Sequence, residues 1–149
     1  MASLTPQWGQ NSAAGELYTI LNNFNQMPMD ATITVGAEDG NNVINVAIQL
    51  SDWNGDDLTS AGSVMAYLAS DSSGLDISTR SDLDSEPAIG TDGSLDVMLS
   101  KTAFTLTSEA DGDIDINFTD TNANNTFYLV VVPATGKLVV SDAITFENG

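Results

Sequence analysis

The seven residues DIDINFT, from Asp113 to Thr119, decide the fold class. Apolar and polar residues alternate strictly along this stretch, and the apolar positions are Ile114, Ile116 and Phe118. A period of two is the pattern of a strand with one face in the core and the other in solvent. We therefore expect a half-buried β-strand here, with the carboxylate of Asp115 in water.

Similar short segments recur about every ten residues from Ala31 onward, which is typical of a β-sandwich or barrel. We expect eight strands, at Ala31–Val35, Val43–Ser51, Ser63–Ser70, Ser94–Leu99, Ala103–Ser108, Asp113–Thr119, Thr126–Val132 and Lys137–Phe146. The second of these alternates as clearly as the sixth, with inward positions at Ile44, Val46, Ile48 and Leu50. Short connections rich in Gly, Asn and Asp favour antiparallel pairing throughout.

Two segments depart from this pattern. The connection from Asp71 to Ala88 is long, polar and acidic, and is either an irregular surface loop or a loop that carries a short edge strand. The run Phe127 to Val132 is apolar without alternation, which predicts a central strand covered on both faces. We expect the second sheet to cover one face, and the N-terminal helix or a neighbouring subunit to cover the other.

The first thirty residues have a different composition from the rest. An apolar stripe at helical spacing lies within them, at Leu17, Ile20, Leu21 and Phe24. The spacing predicts a short helix that ends before Pro28. The chain thus divides into an arm, residues 1–30, and a β-sandwich domain, residues 31–149. The arm either packs on its own domain, lacks order in the free protein, or docks on a partner through this stripe.

Composition excludes several classes of function. The 149 residues include 21 acidic and 3 basic side chains, for a formal net charge of -18, so nucleic acid and anionic membranes should be repelled. There is no Cys or His, which removes disulfides, the usual zinc sites, thiol nucleophiles and histidine bases. No export signal or membrane-spanning apolar run is recognisable, which predicts a soluble protein made without export.

Asp-rich loops are the remaining chemical candidates. The segment from Asp52 to Asp57 starts like a calcium-binding EF-hand loop, but Asp57 and Ser63 occupy the positions where Gly and a bidentate Glu are needed. Asp111, Asp113 and Asp115 would lie in a row along one strand face. We expect solvated acidic surface, with weak adventitious cation binding as the alternative. Acidic pairs such as Asp82 and Asp84 are assigned to loop solvation, so no catalytic, cofactor or metal residue is expected and the chain is predicted not to be an enzyme.

Several blocks between Thr32 and Phe146 resemble a group of tailed-phage and prophage virion proteins. These blocks are ITVGAEDGNNVINVAIQLSDWNG, VMAYLASD, AIGTDGSL, LTSEADGDIDINFTD and FYLVVVPATGKLVVSDAITF. The resemblance implies an immunoglobulin-like antiparallel β-sandwich of seven to eight strands that decorates or cements the capsid. It also implies the major capsid protein as partner, a homo-oligomer such as a trimer, and a place on the outer capsid surface after synthesis in the host cytoplasm. Residues before Asp30 lie outside the resemblance.

Two other classes of protein remain open. A tail-associated or cell-surface adhesion module could have the same fold, because fold alone does not determine function. The missing export signal and the absence of internal repeats argue against that class. A soluble domain from a salt-adapted organism would also be acidic, and its stability would then fall sharply without molar salt.

Overall fold

The computed structural model describes residues 16–17 and 27–148, and within these ranges antiparallel strands form the body of the protein. The strands are β1 (Asp30–Glu38), β2 (Val43–Ser51), β3 (Ser63–Ala69), β4 (Ala88–Ile89), β5 (Ser94–Leu99), β6 (Ala103–Thr107), β7 (Asp113–Thr119), β8 (Asn125–Val132), β9 (Val139–Val140) and β10 (Ile144–Phe146). The predicted all-β class is confirmed.

The strands form two sheets in which every pairing is antiparallel. One sheet has the order β1-β2-β7-β4, and the other has the order β10-β8-β3-β6-β5. Strand β9 pairs with β8 on the same edge as β10, opposite β3. One apolar cluster contains buried side chains from both sheets, which is consistent with a β-sandwich.

Three of the predicted strands, β2, β5 and β7, have the predicted bounds. The last predicted strand, Lys137–Phe146, is instead divided into β9 and β10. The division occurs at Ser141, whose backbone N–H still donates to the carbonyl of Leu129. Its hydroxyl accepts from the N–H of Leu129 at 2.9 Å and donates to the carbonyl of Asp142. The side chain thus takes part in the pairing where regular strand geometry is interrupted.

The inward positions of β2 and β7 are confirmed, because each of these side chains is at most 2% exposed. They are joined in the core by inward side chains of β3, β6, β8 and β10. The largest fully buried residues include Phe104, Phe118, Phe127, Phe146, Leu50, Leu58, Leu68 and Leu106. Phe127 packs edge-on against Phe118, with ring centroids 5.3 Å apart. The core therefore lies between the sheets, where the period-two pattern places it.

Strand β8 is central in its sheet, as predicted, and its outward residue Val130 is fully buried. The cover over Val130 comes from the loop after β3: a Cβ on Gly74 would lie 3.1 Å from a methyl group of Val130. The hydroxyl of Tyr67 donates to the carbonyl of Gly74 at 2.5 Å and holds this loop down. We predicted cover by the N-terminal helix or a neighbouring subunit; the described cover is instead the chain's own loop.

The same loop belongs to the long connection from Asp71 to Ala88, for which the sequence allowed either an irregular loop or a loop with a short edge strand. It is irregular for most of its length, with one isolated bridge between Ala69 and Ile77. A two-residue strand, β4, begins at the last residue of the predicted stretch, Ala88, and pairs with β7. The connection therefore ends in the short edge strand that the sequence allowed.

Candidate docking surface

The predicted docking stripe falls almost entirely outside the described residues. Ile20, Leu21 and Phe24 lie there, as does most of the predicted helix. Leu17 is described: it is helical, together with Glu16, and its side chain is 54% exposed. Both the helix and the docking role of the stripe therefore stay predictions.

The body offers a second apolar surface that the sequence reasoning did not single out. On the edge strand β5, three consecutive side chains, Val97, Met98 and Leu99, are 47–57% exposed. Most neighbouring strands bury every second residue, whereas no residue of β5 is fully buried. We define Val97, Met98 and Leu99 as the β5 patch. Its sequence signal was present in the run VML, where period-two alternation ends.

The three cations of the chain are each engaged in contacts within the body. Arg80 forms an ion pair of 2.7 Å with Asp82, and Lys137 one of 3.1 Å with Asp30. The ammonium of Lys101 donates to the carbonyl of Leu83 at 2.6 Å. The outer surface is consequently dominated by carboxylates, which is the electrostatic character that the composition predicts.

The calcium-like loop after β2 has a different explanation. The carboxylate of Asp52 is buried and accepts hydrogen bonds from the backbone N–H groups of Asn54, at 2.8 Å, and Asp56, at 3.1 Å. The backbone carbonyl of Asp56 in turn accepts from the N–H of Asp52. This is an Asx-type turn, in which the side chain replaces a backbone acceptor. The D-x-N-x-D spacing therefore serves the loop, and the carboxylate is directed at the backbone.

The three outward acids around β7 do not act as one cluster. Asp115 is half-buried and accepts from the backbone N–H groups of Thr91 at 2.6 Å and Asp92 at 2.9 Å. The Thr91 hydroxyl and the Asn45 amide also donate to it. Burial acts to raise its pKa, but these hydrogen bonds outweigh burial and the pKa of Asp115 is lowered. Asp115 therefore lies on the outward face of β7 as expected, but its carboxylate also caps the turn between β4 and β5, which the alternating pattern does not predict.

Asp113, two residues earlier on the same face, is affected in the opposite direction. Burial raises its pKa, and the charges of neighbouring carboxylates raise it further; these are Asp111, Asp92, Asp57 and Asp115. Among residues 16–17 and 27–148, acidic side chains nowhere form a group of three or more arranged to hold a metal ion. The row of acids thus divides into one structural carboxylate and one crowded carboxylate.

A buried polar network at the far end of β7 was missed by the sequence reasoning. Asp120 is fully buried and accepts from the backbone N–H of Asn122 at 2.9 Å and from the amide of Asn125. The guanidinium of Arg80 donates to the Asn125 amide oxygen and lies 5.3 Å from the Phe127 ring centroid. The clue in the sequence was the only Arg of the chain, together with the Asn-rich turn TDTNANN.

Asp82 and Asp84 were assigned to loop solvation, but both carboxylates also make contacts next to this network. Both side chains are exposed, but Asp82 pairs with Arg80 and Asp84 accepts from the backbone N–H of Thr121 at 2.9 Å. Asp84 thus fastens the long connection to the turn between β7 and β8, whereas the carboxylate of Asp82 pairs within the connection itself. Their contacts in this region are structural.

A shallow depression of about 310 Å³ lies where β1 approaches β10. The carboxylate of Glu38 faces it and accepts from the backbone N–H groups of Glu147 at 2.7 Å and Asn148 at 3.1 Å. Its other carboxylate oxygen is buried without a hydrogen-bond partner among the described residues. The lining includes the small residues Gly36, Ala37 and Ala143, and the hydrogen bonds of Glu38 fasten residues 147–148 to β1 here.

Within the described ranges, no helix has the length and apolarity needed to cross a membrane. Comparison of the chain with protein-family models, with curated proteins and with solved structures finds no match.

Proposed function

We propose that this chain is a non-enzymatic structural protein of a tailed-phage virion, which binds the outer surface of the capsid shell and stabilises it. Its partner is the major capsid protein, and its place is the outer face of the virion after synthesis in the host cytoplasm. The observation that carries the proposal is the combination of an acidic, antiparallel two-sheet body with the sequence blocks that resemble capsid decoration proteins.

The order of the strands supports the immunoglobulin-like part of the proposal. The constant-type immunoglobulin sandwich has sheets ABED and CFG. If β1, β2, β3, β4, β7, β8 and β10 are labelled A to G in chain order, the two sheets read A-B-E-D and C-F-G. The hairpin β5–β6 is then an addition between D and E that extends the second sheet beyond β3. This correspondence involves seven strands in both pairing and chain order.

The distribution of charge fits a protein that coats a preassembled lattice. Free copies with a charge of -18 repel one another in solution, which limits association before the shell is present. Binding then needs a less acidic contact surface. The stripe at Leu17, Ile20, Leu21 and Phe24 meets that need, because residues 1–26 contain a single acidic side chain, Glu16, and no Lys or Arg.

The test is cosedimentation of the full chain with purified capsid shells that lack it. Replacing Leu17 and Phe24 by Asp should reduce binding by at least tenfold, because both changes introduce charge into the apolar stripe. The matched control replaces Leu75, an exposed apolar residue of the loop after β3, by Asp and should bind like the wild type. Equal binding by all three proteins would remove the docking role from the stripe.

Copy number separates this function from the adhesion alternative. A decoration protein should be present in purified virions at a stoichiometry comparable to the capsid lattice, at hundreds of copies by the symmetry of the shell. A tail-associated or cell-surface adhesion module should be present at a few copies or be missing from virions. Quantitative mass spectrometry of virions against the major capsid protein measures this ratio directly.

A further inference from the structure

We propose that the outer edge of β5 pairs with the same edge of a second copy of this chain, so that two bodies form a two-fold dimer through one continuous sheet. This inference does not depend on a capsid. It starts from the position of β5 at the end of the second sheet: among the described residues it pairs with β6 alone.

An exposed edge strand presents unpaired backbone N–H and C=O groups to any chain that can align with it. The other edges are protected in ways that β5 is not. Strand β1 and strand β5 both have a bulge, but β1 is also held at its start by the ion pair between Asp30 and Lys137 and at its end by Glu38. The remaining edge strands, β4, β9 and β10, have two or three residues each. Strand β5 has six residues and the exposed β5 patch.

Charge identifies the second copy as the occupant. The hairpin from Ser94 to Thr107 contains one acidic residue, Asp96, and one basic residue, Lys101, so its formal charge is zero within a chain of charge -18. Two copies of this chain therefore meet no net charge repulsion from the hairpins themselves when their β5 edges align. A partner with strong positive charge would be attracted to the carboxylates elsewhere, whereas a second neutral apolar edge matches this one.

The sequence of β5 also permits antiparallel pairing with itself. With Val97 opposite Val97 on the two-fold axis, Asp96 lies opposite Met98 and Leu95 lies opposite Leu99. No acidic side chain then lies opposite another one. The bulge between Val97 and Leu99 shortens the regular part of the contact, so the dimer is weak and depends on concentration. Because residues 27–148 contain one such edge, association through it stops at two copies.

The experiment is sedimentation equilibrium of the full chain over a range of protein concentrations, at about 0.1 M and about 1 M salt, where the Debye length falls from about 10 to about 3 Å. The average mass should rise from 15.6 kDa towards twice that value, and more steeply at the higher salt. Replacing Met98 and Leu99 by Glu should keep the chain monomeric. The matched control replaces Leu75 and Ile77 by Glu. These two side chains lie outside β5 and are 61–76% exposed, so this variant should dimerise like the wild type.

A crosslink tests the geometry separately, because the natural chain has no Cys. A Val97→Cys variant, whose two thiols face each other on the two-fold axis, should form a covalent dimer under mild oxidation much faster than a Leu75→Cys variant. The proposal is overturned by a chain that stays monomeric at every concentration and salt, by a trimer or larger species, or by equal crosslinking of both variants. A monomer whose β5 amides are protected from hydrogen exchange would assign the edge to another segment of the same chain and would overturn it too.

Discussion

The two ends of strand β7 accommodate negative charge in opposite ways. At the start of the strand, Asp113 lies near Asp111 and three further carboxylates, and burial together with these charges raises its pKa. At the other end, Asp120 is fully buried, yet it accepts hydrogen bonds from the backbone of Asn122 and the amide of Asn125. How a carboxylate is accommodated thus depends less on the number of carboxylates nearby than on the number of hydrogen-bond donors around it.

Asp113 and Asp120 both depend on the buried inward face of β7 to hold the strand in place. Phe118 lies near the end that contains Asp120 and is 1% exposed, with its ring packed edge-on against Phe127. The first and largest prediction tests this shared support. Phe118→Ala should lower the free energy of unfolding by about 3–5 kcal/mol, because it removes a fully buried ring and leaves a cavity. Urea unfolding measures this change, and a loss below about 1 kcal/mol would contradict the burial.

The second prediction breaks the network at the end with Asp120. Arg80→Met should lower the free energy of unfolding by about 2–3 kcal/mol, because the amide oxygen of Asn125 loses a charged donor and Phe127 loses the cation beside its ring. The matched control is Lys137→Met, which removes an exposed ion pair and should change stability by less than about 0.5 kcal/mol. If both variants behave alike in urea unfolding, the network contributes no more than a surface pair.

The sequence predicted the strands of the fold well where one face is buried and the other is not. For β2 and β7, a period of two specifies which residues face the core, and a slip by one residue would place all of them in water. The same reasoning could not locate the break at Ser141, because there a hydroxyl replaces a backbone acceptor. It also could not foresee that the loop at Gly74 covers Val130, since that contact joins positions distant in sequence.

The candidate surface was less predictable than the fold. An alternating pattern assigns Asp115 to solvent, and it carries no information on the backbone N–H groups of Thr91 and Asp92 that point at this carboxylate. The same limit applies to Asp120 and Arg80, which are separated by forty residues. The β5 patch was visible as a short apolar run, but its exposure follows from the position of β5 at the sheet edge.

The third prediction concerns the structural carboxylate at the start of β7. Asp115→Asn should lower the free energy of unfolding by about 1 kcal/mol, because the amide retains one acceptor oxygen but loses the charge that the backbone N–H groups of Thr91 and Asp92 stabilise. Asp115→Ala should have a larger effect, since it removes both oxygens. Thermal unfolding at pH 7 measures the difference. A change within experimental error for both variants would show that the hydrogen bonds to Asp115 add no stability.

The fourth and smallest effect is expected at Asp113 and has the opposite sign. Its raised pKa means that the charged form is disfavoured in the folded state, so Asp113→Asn should increase stability at pH 7 by no more than about 0.5 kcal/mol. That gain should vanish as the pH falls through the folded-state pKa, which lies above 3.8, because wild-type Asp113 then becomes neutral as well.

For Asp115, whose pKa is lowered, the stabilisation is present above its ordinary pKa of 3.8 and is lost only as the pH falls further, through the folded value. Urea midpoints of the wild type and both Asn variants, measured in dilute solution from about pH 7 to about pH 2.5, separate the two. Dilution matters, because the charge that keeps copies apart collapses near the sequence pI of about 4.1. The Asp113→Asn gain should disappear at a higher pH than the Asp115→Asn loss. The reverse order would mean that burial and the neighbouring carboxylates, Asp111 among them, do not raise the pKa of Asp113 above that of Asp115.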